Sequence, residues 1–487
     1  MASALKICYA ASEVAPFAKT GGLADVSAAL PRQLHRTGHD VRVFMPLYST
    51  IDRTGHEFHR VDFVQNVEVR LGWKTYAFSL WTAPLPGGGP AVYFVDCPEL
   101  YMRPQIYTSD PDESQRFGLL CRAVFESCQR MGWSPDVLHA NDWHTALLPL
   151  LRRTVYEWDQ LFRETRTIVA IHNIAYQGMF PAEVIADLGL SGWRHLFDQE
   201  DLAAGRLNFL KTGLIYADLV TTVSPTYARE IQTDGYGMGL AALLRARAES
   251  LIGILNGVDY DEWSPEKDRF IPHRFSRKRL AGKKKNKRYL INSLGLANDG
   301  EAPLLGVVSR LVEQKGFDLC VPVLPEVLAT SDLRLSVLGS GERKYEEFFT
   351  WLQDRFPQRV VFYRGHNNEL AHLIEAGADM LLMPSRYEPC GLNQMFSLRY
   401  GTIPIVRKTG GLADSVRAFD PETGEGTGFV FDHFSPEALR WALELALRTF
   451  RDRPAWKQLV ANAMAQNHSW EIQTGRYIEV YSRLTGL

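Results

Sequence analysis

Short apolar runs rich in Val, Ile and Leu, each closed by small or polar residues, punctuate the first half of the chain. They are LKICYAAS at 5, DVRVFMPLY at 40, AVYFVDC at 91, DVLHAND at 136 and TIVAIHN at 167. Runs of this length, too short for a helix and rich in β-branched residues, predict buried strands. Between them SQRFGLLCRAVFESCQRMG at 114 carries a helical period, and the alternation predicts parallel strands joined by crossover helices. The first run resembles the apolar part of a signal peptide, but it is short and passes directly into a Gly-rich motif, so it reads as a strand.

The same grammar restarts near residue 303. LLGVVSR, LRLSVLGSG, RVVFYRG, DMLLMPSR and IPIVRKTGG predict five further buried strands, each ending where an open α/β sheet places its ligand loops. Between the halves, LIGILNGVDYDEWSP at 251 reads as a strand leading into an exposed connection. The cationic run RKRLAGKKKNKR at 277 reads as a solvated helix or linker face, with attraction of an anionic donor or polymer as the alternative. EALRWALELALRTFRDR at 437 and WEIQTGRYIEVYSRLTGL at 470 read as amphipathic helices. The expected architecture is α/β, with two doubly wound Rossmann-like domains over residues 1–252 and 253–465. A terminal helix in 466–487 is expected to pack back on the first.

Composition narrows the function. A length of 487 residues suits two or three domains, and a formal net charge of −2 leaves no global basic field for nucleic acid or anionic membrane. The six cysteines (Cys8, Cys97, Cys121, Cys128, Cys320, Cys390) form no C-x-x-C pair and no zinc spacing, and read as reduced thiols of a cytoplasmic protein. No window reaches the 18 or so apolar residues that span a bilayer.

One motif recurs: KTGGLADV from Lys19 and KTGGLADSV from Lys408. A Gly-Gly turn between strand and helix lets backbone N–H groups approach an anion, and a Lys two residues earlier adds a mobile charge. Gly21-Gly22 and Gly410-Gly411 are therefore candidate phosphate loops. GVVSRLVEQKGFD places Arg310 and Lys315 on a loop after a strand, where they could clamp a diphosphate and stabilise charge that grows on it. MPSRYEPCGLNQ puts Glu388 in a Pro-bounded loop, suited to sugar hydroxyls or to an ion pair with Arg386 or Arg399, and Cys390 reads as a small filler beside it. LHANDWHTAL, with His139, Asp142 and His144, and AIHNIAYQG, with His172, Asn173, Tyr176 and Gln177, offer the directed polar groups and ring faces that carbohydrate needs. Asp259-Tyr260-Asp261 matches a D-x-D metal pattern but reads as a turn. No metal ligand set is expected.

Taken in order, KTGGLADV, HANDWHTAL, HNIAYQG, TVSPTYA, NGVD, SRLVEQKG, LGSGE and EPCGLNQ resemble bacterial glycogen synthase and plant starch synthase over nearly the whole chain. The resemblance implies a GT-B glycosyltransferase fold with an interdomain cleft, an N-terminal acceptor domain and a C-terminal nucleotide-sugar domain. It implies glucose transfer from ADP-glucose to an α-1,4-glucan with retention, and no metal or pyridoxal phosphate. By the same resemblance Lys19, His172, Arg310, Lys315 and Glu388 are catalytic. Gly21, Gly22, Asp25, Asp142, Asn173, Asn256, His366, Cys390, Gly391, Leu392, Thr409, Gly410 and Gly411 line the substrates. Two departures stand out: His366 where many members stack a Tyr on adenine, and Phe396 where related transferases hold ribose with Glu. A glucan phosphorylase and a non-catalytic sugar-binding protein remain as alternatives.

Overall fold

The apolar runs of the first half become strands in the computed structural model, which describes residues 4–297 and 301–487. The chain divides into two units: residues up to Val223 with Ala228–Gly257 and Trp470–Leu487, and Ser224–Tyr227 with Val258–Ser469.

The first unit contains β1 (Lys6–Ala10), β2 (Asp40–Pro46), β3 (His59–Arg60), β4 (Val67–Leu71), β5 (Lys74–Pro84), β6 (Ala91–Asp96), β7 (Val137–Asn141), β8 (Arg166–Ile171), β9 (Met179–Pro181), β10 (Arg206–Asn208), β11 (Leu219–Thr222) and β12 (Leu251–Gly253). Its main sheet runs β12-β11-β8-β7-β1-β2-β6-β5-β3, with β4 on β5. From β12 to β6 all pairings are parallel. β7 is buried throughout, as a strand with covered faces must be. The antiparallel strands β3 to β5 escape the sequence reading because β4, VEVRL, alternates buried and exposed positions instead of forming an apolar run.

The chain leaves β1 toward β2 and β6, then returns to lay β7 on the other side of β1. That reversal opens a crevice at the carboxyl ends of β1 and β7. The helix Trp470–Thr485 buries Trp470, Gln473, Thr474, Tyr477 and Tyr481. That spacing is one helical stripe, and Tyr481 reaches His139 of β7.

The second unit has β13 (Leu304–Val308), β14 (Arg334–Gly339), β15 (Val360–Arg364), β16 (Met380–Met383), β17 (Ile403–Arg407) and β18 (Phe429–Phe431), in the order β15-β14-β13-β16-β17-β18. Here every pairing is parallel, and the switch point falls between β13 and β16. Helix starts are written locally: Asn367 accepts from the Leu370 N–H, and Ser435, followed by Pro436, accepts from the Ala438 N–H.

The cationic run departs from its expected solvated face. It forms the helix Ala281–Ser293, from which Lys287 turns inward to Asp379 at 2.6 Å and the Ala302 carbonyl at 2.7 Å. Lys283 donates to the Thr402 hydroxyl at 2.6 Å, and burial draws its pKa down to about 7. Two cations of an apparent surface charge cluster, Lys283 and Lys287, are thus anchoring.

Candidate active site

In the first unit the candidate residues gather at the carboxyl ends of β1, β7 and β8. Asp142 follows β7 with φ 53°, a left-handed conformation uncommon for a residue with a side chain, although Asp adopts it more readily than most. Its carboxylate accepts the His172 backbone N–H at 2.7 Å and also bonds the N–H of Asn173. Burial nevertheless pushes this carboxyl up to about 7, with those N–H groups opposing the shift. The His172 ring lies 2.9 Å from Asn141 Oδ1, and burial draws its pKa down to about 4. At neutral pH it is an uncharged imidazole.

The two histidines of HANDWHTAL are framework. His139 is fully buried against the Tyr481 hydroxyl at 2.7 Å, and His144 is buried with its ring stacked on Tyr107. Tyr176 is 55% exposed and available as a sugar platform, whereas Gln177 is engaged by the Asn208 amide and the Met238 carbonyl.

The first KTGGLA loop is held from below by Glu13, a buried carboxylate that sequence reasoning missed. It accepts from the Thr20 N–H and hydroxyl, from the Gly21 N–H at 3.3 Å and from the Tyr107 hydroxyl at 2.5 Å. The signal was present: one charged residue in the largely apolar stretch ICYAASEVAPFA. Lys19 stands exposed, 2.7 Å from Asp25. Burial raises the Asp25 carboxyl and Lys19 lowers it.

The second copy serves a different end. Gly410 has φ 43°, and a Cβ there would lie 1.9 Å from the Glu388 carbonyl oxygen; at Gly411 it would lie 2.1 Å from that of Cys390. The Gly411 N–H is bonded to the Glu388 carbonyl at 3.1 Å. These glycines let the EPCGL loop settle onto the helix start. At Gly21 and Gly22 an added Cβ would meet nothing within 4 Å among the described residues. Thr409 is fully buried, and Lys408 sits exposed, 3.4 Å from Asp432.

Glu388 itself is 5% exposed and accepts from Lys315 Nζ at 2.7 Å and from the Ser385 hydroxyl at 2.9 Å. Its ion-pair partner is therefore Lys315, in place of the Arg386 or Arg399 considered from sequence. Arg386 lies near Glu313 and Asp318, and Arg399 near Glu266. The loop is pinned by Arg407, a second residue missed from sequence, whose guanidinium donates to the Ser385 carbonyl at 2.9 Å and to that of Arg386. Arg310 is exposed on the loop after β13, and His366 is exposed after β15, both at the carboxyl edge of the sheet. Cys390 is buried, while Gly391 and Leu392 are half-buried just before the helix Asn393–Tyr400. Asn256 is buried in the first unit.

Phe396 has a structural occupation: its ring stacks on Trp263 at 4.0 Å, and Trp263 also stacks on His372 at 3.7 Å. Asp259 accepts from the Asp261 N–H at 3.0 Å, and Asp261 pairs with Lys267, which makes the D-x-D a turn. Among the described residues no group of His, Cys, Asp or Glu has the disposition of a metal site.

Sequence comparison matches residues 6–246 to the starch synthase catalytic domain and residues 293–462 to the glycosyl transferases group 1 family. Relatives include a glycogen synthase of Koribacter versatilis, 44% identical with 98% of each chain covered. Another is a glycogen synthase of Anaeromyxobacter dehalogenans, 46% identical with 99% of this chain and 100% of that one covered. Among solved structures, the catalytic domain of starch synthase IV from Arabidopsis thaliana, bound to ADP and acarbose, matches with TM-score 0.91 at 34% identity, covering 100% of both chains. The two α/β units are those of the GT-B fold.

Proposed function

This chain belongs to the glycogen and starch synthase family of glycosyltransferases, and we propose that it transfers glucose from ADP-glucose to the 4-hydroxyl at the non-reducing end of an α-1,4-glucan, releasing ADP. The observation that carries this reading is the buried Glu388 carboxylate joined to Lys315 at the carboxyl edge of the second sheet. It pairs a cation suited to a diphosphate with an acceptor suited to sugar hydroxyls.

In the reaction the bond from the anomeric carbon to the diphosphate oxygen breaks, and a bond from that carbon to the acceptor's O4 forms. The acceptor proton passes to the departing phosphate oxygen. Arg310 and Lys315 carry the negative charge that grows on the diphosphate, so the mechanism assigns no step to a metal or to pyridoxal phosphate. Transfer proceeds on one face with retention. A double displacement would require a free carboxylate beneath the ring. Asp142 is committed to two backbone N–H groups and Glu388 to Lys315 and Ser385. Lys19, Gly21 and Gly22 serve the donor, and Asp142, His172 and Asn173 the sugar and acceptor.

The six cysteines are free and buried, which fits a reducing cytoplasm, and no helix among the described residues is long and apolar enough to cross a membrane. A radiolabel transfer assay with ADP-glucose, UDP-glucose and glucose 1-phosphate, and glycogen as acceptor, tests the proposal. Incorporation from ADP-glucose that persists in EDTA is expected. Incorporation from glucose 1-phosphate instead would replace the reading by a phosphorylase.

A further inference from the structure

The proposed function brings the His172 imidazole to the sugar, and what that ring can do there depends on which nitrogen carries its proton. The bonds of Asn141 at the end of β7 decide this. Asn141 Nδ2 donates to the Ala10 carbonyl at 2.9 Å and lies 3.4 Å from the carbonyl of His139. Reversing the amide would set its oxygen against those two carbonyl oxygens, so its orientation is fixed by the strand backbones. Oδ1 then faces the Tyr9 hydroxyl at 3.0 Å and His172 Nε2 at 2.9 Å. An amide oxygen only accepts. Tyr9 is fully buried and burial pushes its phenol up, so it stays protonated and donates. His172 Nε2 must donate as well.

The neighbouring ionisable groups leave this arrangement undisturbed. Asp142 spends its carboxylate on the backbone N–H groups of His172 and Asn173, and His139 is bonded to Tyr481. Burial draws the His172 pKa down to about 4, so near neutrality the ring holds a single proton. With that proton on Nε2, Nδ1 is left as a bare lone pair.

We propose that Asn141 is a positioning residue that locks His172 in its Nε2–H tautomer, so that Nδ1 meets the sugar as an acceptor and demands a hydroxyl that donates to it. The demand is a specificity filter. A site built to bond a hydroxyl discriminates strongly against an analogue that lacks it, and fluorine, close to hydroxyl in size, has no proton to give. The kinetic half of this inference rests on the proposed function; the tautomer does not.

Two measurements on the full-length protein test it. Nitrogen-15 NMR of histidine-labelled protein, with His172 assigned through His172→Gln, should show protonated Nε2 and bare Nδ1. The opposite tautomer in the wild type would overturn the proposal, whether or not the protein uses ADP-glucose. The second measurement compares kcat/KM for ADP-glucose and for analogues in which each glucose hydroxyl is replaced singly by fluorine, in wild type, Asn141→Leu and Asn141→Asp. Fluorine's inductive effect is common to all three enzymes and cancels in the ratios. At one ring position the wild-type penalty should exceed that of Asn141→Leu by about tenfold, the scale of one neutral hydrogen bond, while Asn141→Asp, whose buried carboxyl stays protonated against the Ala10 and His139 carbonyls and so keeps both a donor and an acceptor oxygen, should retain the penalty. Equal penalties in wild type and Asn141→Leu, with the tautomer unchanged in the variant, would remove Asn141 from the role. A wild type inactive with ADP-glucose would overturn the proposed function, leaving the NMR result to stand alone.

Discussion

Lys315 Nζ lies 2.7 Å from Glu388 Oε2, joining the residue expected to hold the diphosphate to the residue expected to hold glucose. Both belong to the second unit and are largely buried, with 18% and 6% of their side chains exposed. A diphosphate bound by Lys315 must therefore compete with a carboxylate already in place.

Replacing Glu388 by Gln removes that competitor while preserving shape. Glu388→Gln should lose turnover almost completely yet bind ADP at least as tightly as wild type in isothermal titration. Weaker ADP binding would show that the pair supports the site instead of restraining it.

Lys315→Ala and Arg310→Ala should each lower kcat by roughly 10² to 10³, the loss expected when a group stabilising leaving-group charge is removed. Initial-rate kinetics over a wide range of ADP-glucose would reveal it. A change confined to KM would mean the cations bind the ground state and transition state equally.

The two Gly-Gly turns should respond differently to alanine. Gly411→Ala drives a Cβ to 2.1 Å from the Cys390 carbonyl oxygen, an overpacking that should cost at least about 1–3 kcal/mol and lower the melting temperature. Gly21 has φ −157°, an extended backbone open to any residue, and room for a methyl. Gly21→Ala should leave the melting temperature unchanged while reducing transfer, and a large loss of stability there would contradict a ligand-facing role.

Asp142 gives a dependence on pH. Burial pushes its carboxyl up to about 7, whereas the unfolded chain releases that proton near pH about 4. The folded state binds more protons between these values, so this carboxyl's contribution is full below about pH 4 and is lost as pH rises to about 7. The melting temperature of Asp142→Asn relative to wild type should therefore climb across that window and level off above it. His172, drawn down to about 4, gains stability with rising pH in both proteins and cancels in the comparison. A flat difference between the two melting curves would refute the shift.

Most of the fold was legible because parallel strands covered on both faces leave uninterrupted apolar runs. Strands were read where the apolar run is uninterrupted, as at β7, and missed at β4, where one face meets solvent, and at β11, LVTT, a short buried strand half of whose residues are threonine. The candidate site was legible where charged or glycine residues interrupt a strand end, as at Arg310, Lys315, Glu388 and Gly410. Asn141, Arg407 and Glu13 were passed over because their partners are backbone groups or side chains remote in sequence: Ala10 for Asn141, Ser385 for Arg407 and Tyr107 for Glu13.

The repeated KTGGLA draws the dividing line. Sequence alone determined that both copies link a strand to a helix, because each Gly-Gly lies between an apolar run and the start of a helical pattern. Only tertiary structure decided that they differ in purpose. Gly410 and Gly411 lie beneath the carbonyls of Glu388 and Cys390, while Gly21 and Gly22 lie clear of any such neighbour among the described residues. Identical letters carry the same backbone freedom, but what that freedom is used for depends on which atoms the rest of the chain brings within van der Waals reach.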